Sequence, residues 1–88
     1  MAKVSDPVGF HLRAAGRIVK LTKTFVSNVT IHYGGKVANA KSIMGLASLA
    51  AEFGADVEIQ VEGADEDQAA PAIAHLISRE LAHPEHES

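Results

Sequence analysis

The alternation of apolar and polar side chains predicts three half-buried β-strands and an abbreviated fourth. The alternating stretches are Val29–Tyr33, Lys36–Ala40 and Val57–Glu62. Gly34 and Gly35 separate the first two, and paired glycines suit the tight hairpin turns that need positive φ at both central residues. Met1–Val4 is long enough only for a short edge strand. The pattern therefore predicts one hairpin and two further strands.

Other stretches carry apolar residues at helical spacing. The first predicted helix covers about Leu12–Thr24, and a short second one covers about Ile43–Ala50, with Ser42 as a favourable N-cap. Gly54 is well placed to end the helical element that follows Ser42. The apolar stripe of the first helix consists of Ala14, Ile18, Leu21 and Phe25.

A last helix is predicted after Gly63, which interrupts the preceding strand. Asp65 and Gln68 resemble a capping box, so the helix is expected to start at Asp65. Pro71 comes too late for a first-turn proline, and a kink or a ragged first turn is expected there. The buried stripe of this helix consists of Ile73, Leu76, Ile77 and Leu81.

The predicted order is β-α-β-β-α-β-α, and each strand has one polar face. Such strands form an antiparallel sheet with helices on a single side, the α+β class. The 88 residues suffice for one domain, expected over 1–82, with 83–88 as a disordered tail. No cysteine is present, which excludes disulfides and thiolate metal sites. No membrane-length apolar run or signal-peptide core occurs, so we expect a cytoplasmic protein without membrane insertion.

Charge is divided unevenly along the chain. Six basic residues and no acidic one lie from Pro7 to Ala51, whereas the rest carries two basic and all eleven acidic residues. Arg13, Arg17 and Lys20 follow one face of the first predicted helix. Their positive potential would steer an acidic partner or a phosphate toward this face. Nucleic acid is the weaker alternative, because the chain has one Tyr, three Phe, no Trp and a net charge of −3.

His11 is the candidate reactive residue, because it lies at the predicted start of the first helix. Unpaired backbone N–H groups at such a terminus attract anions. Gly9 permits close approach of the backbone to a ligand, and Arg13 carries a planar fork of donors that fits phosphate. A neutral imidazole nitrogen there can accept a phosphoryl group. In isolation, however, a histidine at this position is more often a polar cap or a surface residue.

Ser42 has two interpretations that its sequence context leaves open. It can cap the second helix and do nothing else. Alternatively, a phosphate on its hydroxyl would gain contacts with the helix terminus and would place negative charge beside an apolar surface of Ile43, Met44 and Leu46. The remaining histidines predict no ordered metal site.

Two segments together resemble the HPr family of phosphocarriers. Gly9–Ala15 (GFHLRAA) resembles the family's active-site signature, in which glycine, an apolar residue, histidine, any residue and arginine follow in that order. Ala40–Leu46 (AKSIMGL) resembles its regulatory-serine segment, and the histidine and the serine are separated as in the family. Gly63–Glu66 matches the start of the family's last helix. The resemblance extends from residue 6 to about residue 81.

The resemblance implies an open-faced β-sandwich: a four-stranded antiparallel sheet in the order 1-4-2-3, with three helices on one face. It also implies a stoichiometric phosphoryl carrier, not an enzyme, that needs no cofactor or metal and acts in phosphotransferase-system sugar transport. Nδ1 of His11 would accept the phosphoryl group from enzyme I as a transient phosphohistidine and pass it to an enzyme IIA histidine. An HPr kinase/phosphorylase acting on Ser42 is a further implied partner.

The same resemblance assigns roles around His11. Arg13 and the backbone N–H groups of Leu12 and Arg13 would hold the phosphoryl oxygens. The implied docking residues are Arg17, Lys20, Lys23, Met44 and Leu46. The chain departs from the family in having Ala14 in place of a usual proline, Val8 in place of a small polar residue, and a shorter first strand.

Three functions remain to be weighed. The first is the phosphoryl relay through His11. The second is a regulatory binding module that acts through phosphorylated Ser42 without a role in sugar transport. The third is a relative in fold alone that binds a small molecule or RNA, which the presence of both His11 and Arg13 disfavours.

Overall fold

The structure, a computed structural model that describes residues 1–81, contains one four-stranded antiparallel sheet in the order β1-β4-β2-β3. The strands are β1 (Ala2–Lys3), β2 (Asn28–Tyr33), β3 (Lys36–Asn39) and β4 (Asp56–Glu62). The helices on one face of this open sheet are α1 (Leu12–Thr22), α2 (Ile43–Leu49) and α3 (Glu66–His75), which continues into a π-helical turn, Leu76–Glu80. The fold class and strand order expected from the sequence are thus confirmed. The tail expected over 83–88 lies outside the described residues.

The central pair of strands carries the alternation that the sequence predicted. Ile31 of β2 lies opposite Ala38 of β3 on one side and Ile59 of β4 on the other. Side chains at 29, 31 and 57 are buried, whereas those at 58, 60 and 62 on β4 are exposed. At the sheet edge, β1 is reduced to two pairs, Ala2 with Val57 and Lys3 with Asp56. The buried face of the sheet therefore supports the helices on one side only.

Helix α1 presents an apolar face to the sheet and ends two residues earlier than expected. Its buried residues are Ala14, Ala15, Ile18, Val19 and Thr22. The Thr24 hydroxyl and backbone N–H both donate to the Leu21 carbonyl, at 2.7 and 3.0 Å. These bonds replace the continuing helical pattern, because a threonine side chain competes for backbone partners. Phe25 consequently lies beyond the helix, although it still packs against the core.

The short helix α2 ends in an unusual cap. Its C-cap is Ala50, which has a left-handed conformation with φ +55°. A side chain in this conformation costs about 1–2 kcal/mol relative to the right-handed region, which is why glycine usually occupies such positions. Gly54 also has positive φ, but it lies in the turn before β4.

The capping box predicted for α3 is wrong, because the Asp65 side chain makes no cap hydrogen bond. Its carboxylate instead accepts the backbone N–H groups of Val26 and Ser27, at 2.9 and 3.0 Å, together with the Ser27 hydroxyl. Glu66 accepts the Gly63 N–H at 3.0 Å in place of the expected reciprocal contact. Asp65 therefore ties the start of α3 to the loop between α1 and β2.

Pro71 lies inside α3 and not at its start. It has no N–H to donate to the carbonyl four residues earlier, so one helical hydrogen bond is missing. In the first turn, the N–H groups of Gln68 and Ala69 both donate to the Asp65 carbonyl, at 3.0 and 2.9 Å. Beyond α3 the helix widens, and the Leu81 N–H reaches the Leu76 carbonyl at 3.1 Å. Within residues 1–81, no helix has the length and apolar composition needed to cross a membrane.

We expect the contacts of Asp65 to make folding sensitive to acid. The Ser27 hydroxyl, followed by the Val26 N–H, lowers the pKa of Asp65 below its ordinary value of 3.8. Such a carboxylate contributes its full stabilisation above the unfolded-state pKa and loses it as the pH falls through the folded-state pKa. In urea unfolding, Asp65→Asn should therefore lower the midpoint at pH 7, and the difference from wild type should shrink below about pH 4.

Asp67→Asn is the matched control, because it removes a carboxylate from the first turn of the same helix, where the side chain is exposed. Its urea midpoint at pH 7 should change much less than that of Asp65→Asn. Equal losses in the two variants would contradict the structural role assigned to Asp65.

Candidate functional site

A tight turn from Asp6 to Gly9 delivers the chain to the start of α1. The Gly9 N–H donates to the Asp6 carbonyl at 2.9 Å, and the Val8 N–H donates to Asp6 Oδ1 at 2.8 Å. Pro7 suits the second position of such a turn, because its φ is already fixed near −65°. Ahead of the turn, the N–H and hydroxyl of Ser5 both donate to the Ile77 carbonyl, at 3.0 and 2.7 Å. The turn is thus held by the Asp6 side chain and, through Ser5, by the Ile77 carbonyl in the π-helical turn.

Gly9 and Phe10 fix the exit from this turn against the segment after α2. Gly9 has φ +85°, and a Cβ there would collide with the Ala51 carbonyl oxygen. The same oxygen accepts the Phe10 N–H at 2.9 Å, and the Phe10 ring is buried. Glycine is required at this position both by its conformation and by the close approach of the neighbouring backbone.

His11 is the N-cap of α1. Its ring nitrogen Nδ1 accepts the Arg13 N–H at 3.2 Å, and its carbonyl accepts the Ala15 N–H at 2.9 Å. The N–H groups of Leu12 and Ala14, in the first turn, have no acceptor within the helix. The side chain of His11 remains 26% exposed. A partly accessible imidazole therefore lies beside a cluster of backbone donors.

Asp6 lies on the other side of the ring, and sequence reasoning assigned it no role. Its carboxylate oxygens lie 3.2 and 3.3 Å from Nε2 of His11, and its side chain is only 6% exposed. The contact depends on how tightly the turn reverses the chain, which residue types alone do not determine. The available signal was an aspartate five residues before the histidine, with Pro7 and Gly9 between them.

The predicted basic residues of α1 differ in their surroundings. Arg13, Lys20 and Lys23 are exposed, and Arg13 follows His11 in the first turn. Arg17 is half-buried, and its Nη1 donates to the carbonyls of Glu80 and Leu81 at 3.0 and 3.4 Å. Arg17 therefore binds the C-terminal end of the last helix, whatever further role it has.

Ser42 caps α2 as expected, and its Oγ accepts the Gly45 N–H at 3.0 Å. The apolar surface predicted beside it is only partly present. Met44 is 72% exposed and Ile43 is also exposed, but Leu46 is fully buried. The inclusion of Leu46 in the docking surface was wrong, because in this short helix the side chains of 46 and 49 face the core.

Two further apolar side chains, Val8 and Leu12, are exposed in the segments that flank His11. Within the described part of the chain, no cluster of three or more histidine or carboxylate side chains is arranged to hold a metal ion. The site therefore consists of one imidazole, one buried carboxylate, a helix N-terminus and an exposed arginine, with exposed apolar side chains in the chain segments before and after His11.

Comparison with known proteins gives one consistent result. Residues 1–79 match the family model described as "PTS HPr component phosphorylation site". The chain is 41% identical over 75 residues to the phosphocarrier protein HPr of Lysinibacillus sphaericus, covering 85% of both chains. Among solved structures it is similar to a phosphocarrier protein HPr from Bacillus anthracis, with a TM-score of 0.83, 36% identity, and coverage of 88% of this chain and 92% of that one. It is also similar to Crh, a Bacillus subtilis catabolite repression protein, with a TM-score of 0.75, 36% identity, and coverage of 88% of both chains.

Substitution of Gly9 should test the close approach that positions His11. Gly9→Ala combines a left-handed conformation with a backbone collision, and should lower the free energy of unfolding by about 3 kcal/mol. Gly54→Ala is the matched control, since Gly54 has φ +81° but an added Cβ there would meet no other atom within 4 Å. Its loss should be about 1 kcal/mol. Urea unfolding measures both variants, and equal losses would show that contact with Ala51 does not constrain the site.

Proposed function

The chain belongs to the HPr family, the phosphocarriers of the phosphotransferase system, and we propose from this that His11 is its phosphoryl acceptor. In this proposal Nδ1 receives the phosphoryl group from phosphorylated enzyme I and passes it to a histidine of an enzyme IIA component, in the cytoplasm. The protein acts as a stoichiometric carrier, because the group that it accepts is the group that it gives away.

The observation that carries this proposal is the position of Nδ1 at the N-terminus of α1. Nδ1 accepts the Arg13 N–H, so its lone pair lies on the side of the ring that faces the first turn. A phosphoryl group bonded to Nδ1 would replace this contact, and its oxygens could then accept the N–H groups of Leu12 and Arg13. Backbone donors and the positive end of the helix dipole favour an anion at this place.

Arg13 is proposed as the second contact to the phosphoryl oxygens. Its side chain is exposed in the same helical turn, and a guanidinium can donate two parallel hydrogen bonds to phosphate. Phosphoryl transfer needs charge stabilisation and alignment more than acid–base chemistry, so a helix terminus and one arginine can supply the main requirements. Ala14, in place of the family's usual proline, lies in a regular helix and leaves this arrangement intact.

The docking surface is proposed to combine basic side chains of α1 with apolar side chains of α2. Lys20 and Lys23 are exposed, and Met44 offers apolar area on the neighbouring helix. Arg17 is part of this proposed docking surface, although its guanidinium also donates to the Glu80 carbonyl. Leu46 is left out of the surface because its side chain is buried. An acidic partner would be attracted to the basic part of this surface at low ionic strength.

Phosphorylation by enzyme I and phosphoenolpyruvate tests the proposal. Wild type should acquire one acid-labile phosphoryl group, His11→Ala should acquire none, and His32→Ala, which alters a histidine on β2, should be labelled normally. Arg13→Ala should be labelled about 10- to 100-fold more slowly, since it loses charge-assisted hydrogen bonds worth about 1.5–3 kcal/mol. Arg79→Ala, at an exposed arginine in the π-helical turn, is the charge-matched control. Undiminished labelling of His11→Ala would refute the assignment.

A second function, regulation through Ser42, is supported by the surroundings of its hydroxyl. Oγ acts as an acceptor in the cap, so its hydrogen is not needed there and can be replaced by phosphorus. The phosphate would then lie at the start of α2, beside exposed Met44 and Ile43. In this second proposal an HPr kinase/phosphorylase modifies Ser42, and the added charge alters which partners dock.

Incubation with ATP and a purified HPr kinase/phosphorylase should therefore give an acid-stable phosphoryl group on wild type. Ser42→Ala should abolish this label and, through the lost cap, lower the free energy of unfolding by about 1 kcal/mol. Ser48→Ala is the matched control, because Ser48 is exposed on the same helix and its hydroxyl donates to the Gly45 carbonyl. Labelling of Ser42→Ala at the wild-type level would exclude regulation at this serine.

A further inference from the structure

The contact between Asp6 and His11 has chemical consequences beyond the turn that it helps to form. Both carboxylate oxygens of Asp6 lie within 3.3 Å of Nε2, and the aspartate side chain is almost completely buried beneath the more accessible imidazole. Oxygens of an ionised carboxylate can only accept hydrogen bonds. The nitrogen that faces them must therefore carry a hydrogen.

The opposite ring nitrogen is constrained in the complementary sense. Nδ1 faces the Arg13 N–H, which can only donate, so Nδ1 must present a lone pair. Asp6 at the Nε2 edge of the ring and the helix terminus at the Nδ1 edge thus select the same tautomer, with the hydrogen on Nε2. A carboxylate that fixes the tautomer of a histidine in this way is a recurrent arrangement in catalytic and metal sites.

We propose that Asp6 is a positioning residue for phosphoryl transfer: it holds the proton on Nε2, keeps the Nδ1 lone pair available, and compensates the charge of the phosphorylated ring. This inference rests on the proposed role of His11 as the phosphoryl acceptor. It adds to that role a residue that neither the active-site signature nor the helix terminus supplies.

The transfer balances without release of a proton. The Nδ1 lone pair forms a bond to the phosphorus atom, while the bond between phosphorus and its donor atom on enzyme I breaks and the electron pair of that bond returns to the donor atom. The Nε2 hydrogen stays in place, so the phosphorylated ring of His11 is an imidazolium next to the Asp6 carboxylate. Onward transfer to the acceptor histidine returns the electron pair to Nδ1 and restores the starting tautomer.

Asp6 also builds the turn, and the two roles can be separated. Oδ1 accepts the Val8 N–H at 2.8 Å, whereas Oδ2 is the oxygen nearer to Nε2. In Asp6→Asn the amide oxygen can keep the contact with Val8, because asparagine forms the same side-chain turn. The amide NH₂ then replaces Oδ2 and offers a donor to Nε2, which favours the opposite tautomer with the hydrogen on Nδ1.

The test compares wild type, Asp6→Asn and Asp67→Asn, the last of which removes one negative charge at an exposed position. Long-range ¹H–¹⁵N NMR of the ring nitrogens, recorded on the neutral imidazole at the basic end of a pH titration, reports the tautomer. We expect the Nε2–H form in wild type and Asp67→Asn, and an increased Nδ1–H population in Asp6→Asn. The initial rate of phosphorylation by enzyme I should fall about 10- to 100-fold in Asp6→Asn alone.

A folded Asp6→Asn protein with an unchanged tautomer or an unchanged rate would overturn this role for Asp6. If Asp6→Asn does not fold, the NMR spectrum of wild type still tests the proposal. A predominant Nδ1–H tautomer in wild type would also overturn the positioning role of Asp6. Failure of the underlying function gives a different result, since wild type would then remain unlabelled or His11→Ala would be labelled equally. Normal labelling of wild type combined with normal labelling of Asp6→Asn rejects only the positioning role.

Discussion

The first backbone N–H groups of an α-helix have no partner within the helix, and this constraint connects fold and function in the present structure. At the start of α1 one of these groups is satisfied by the ring nitrogen of His11, not by the serine, threonine or aspartate that usually caps a helix. A cap of this kind is chemically reactive. The requirement to satisfy the helix terminus therefore also orients the ring nitrogen that we propose as the phosphoryl acceptor and places it beside donors suited to an anion.

The rest of the fold keeps this cap in place. The chain enters α1 through the turn from Asp6 to Gly9, with the Phe10 ring in the core and its N–H bound to the Ala51 carbonyl. Ala51, two residues beyond α2, thus supports Phe10, two residues before α1, and Ser5 connects the same turn to Ile77 in the π-helical turn. The site is held by contacts that are distant in sequence, so its geometry depends on the whole sheet–helix assembly and not on one motif.

Sequence patterns predicted what depends on local periodicity and missed what depends on tertiary contact. Alternation identified the strands, and paired glycines located the hairpin, because both signals act over a few residues. Asp65 was assigned to its own helix, since residue types do not reveal that its carboxylate contacts Ser27, 38 residues away. Leu46 was placed on a surface for a similar reason: a seven-residue helix is too short for its pattern to define which side faces the core. Asp6 was assigned no function from the sequence, because its contact with His11 depends on how tightly the turn reverses the chain.

The brevity of β1 also bears on the colloidal behaviour of the protein. Because β1 pairs only with Asp56 and Val57, the outer edge of β4 has no strand partner beyond residue 57 within the described part of the chain. Exposed sheet edges are templates for strand addition and aggregation. Here the exposed positions along that edge include Glu58 and Glu62. Two copies that met edge to edge would bring carboxylates of like charge together, so the charge pattern protects an edge that a longer first strand would have covered.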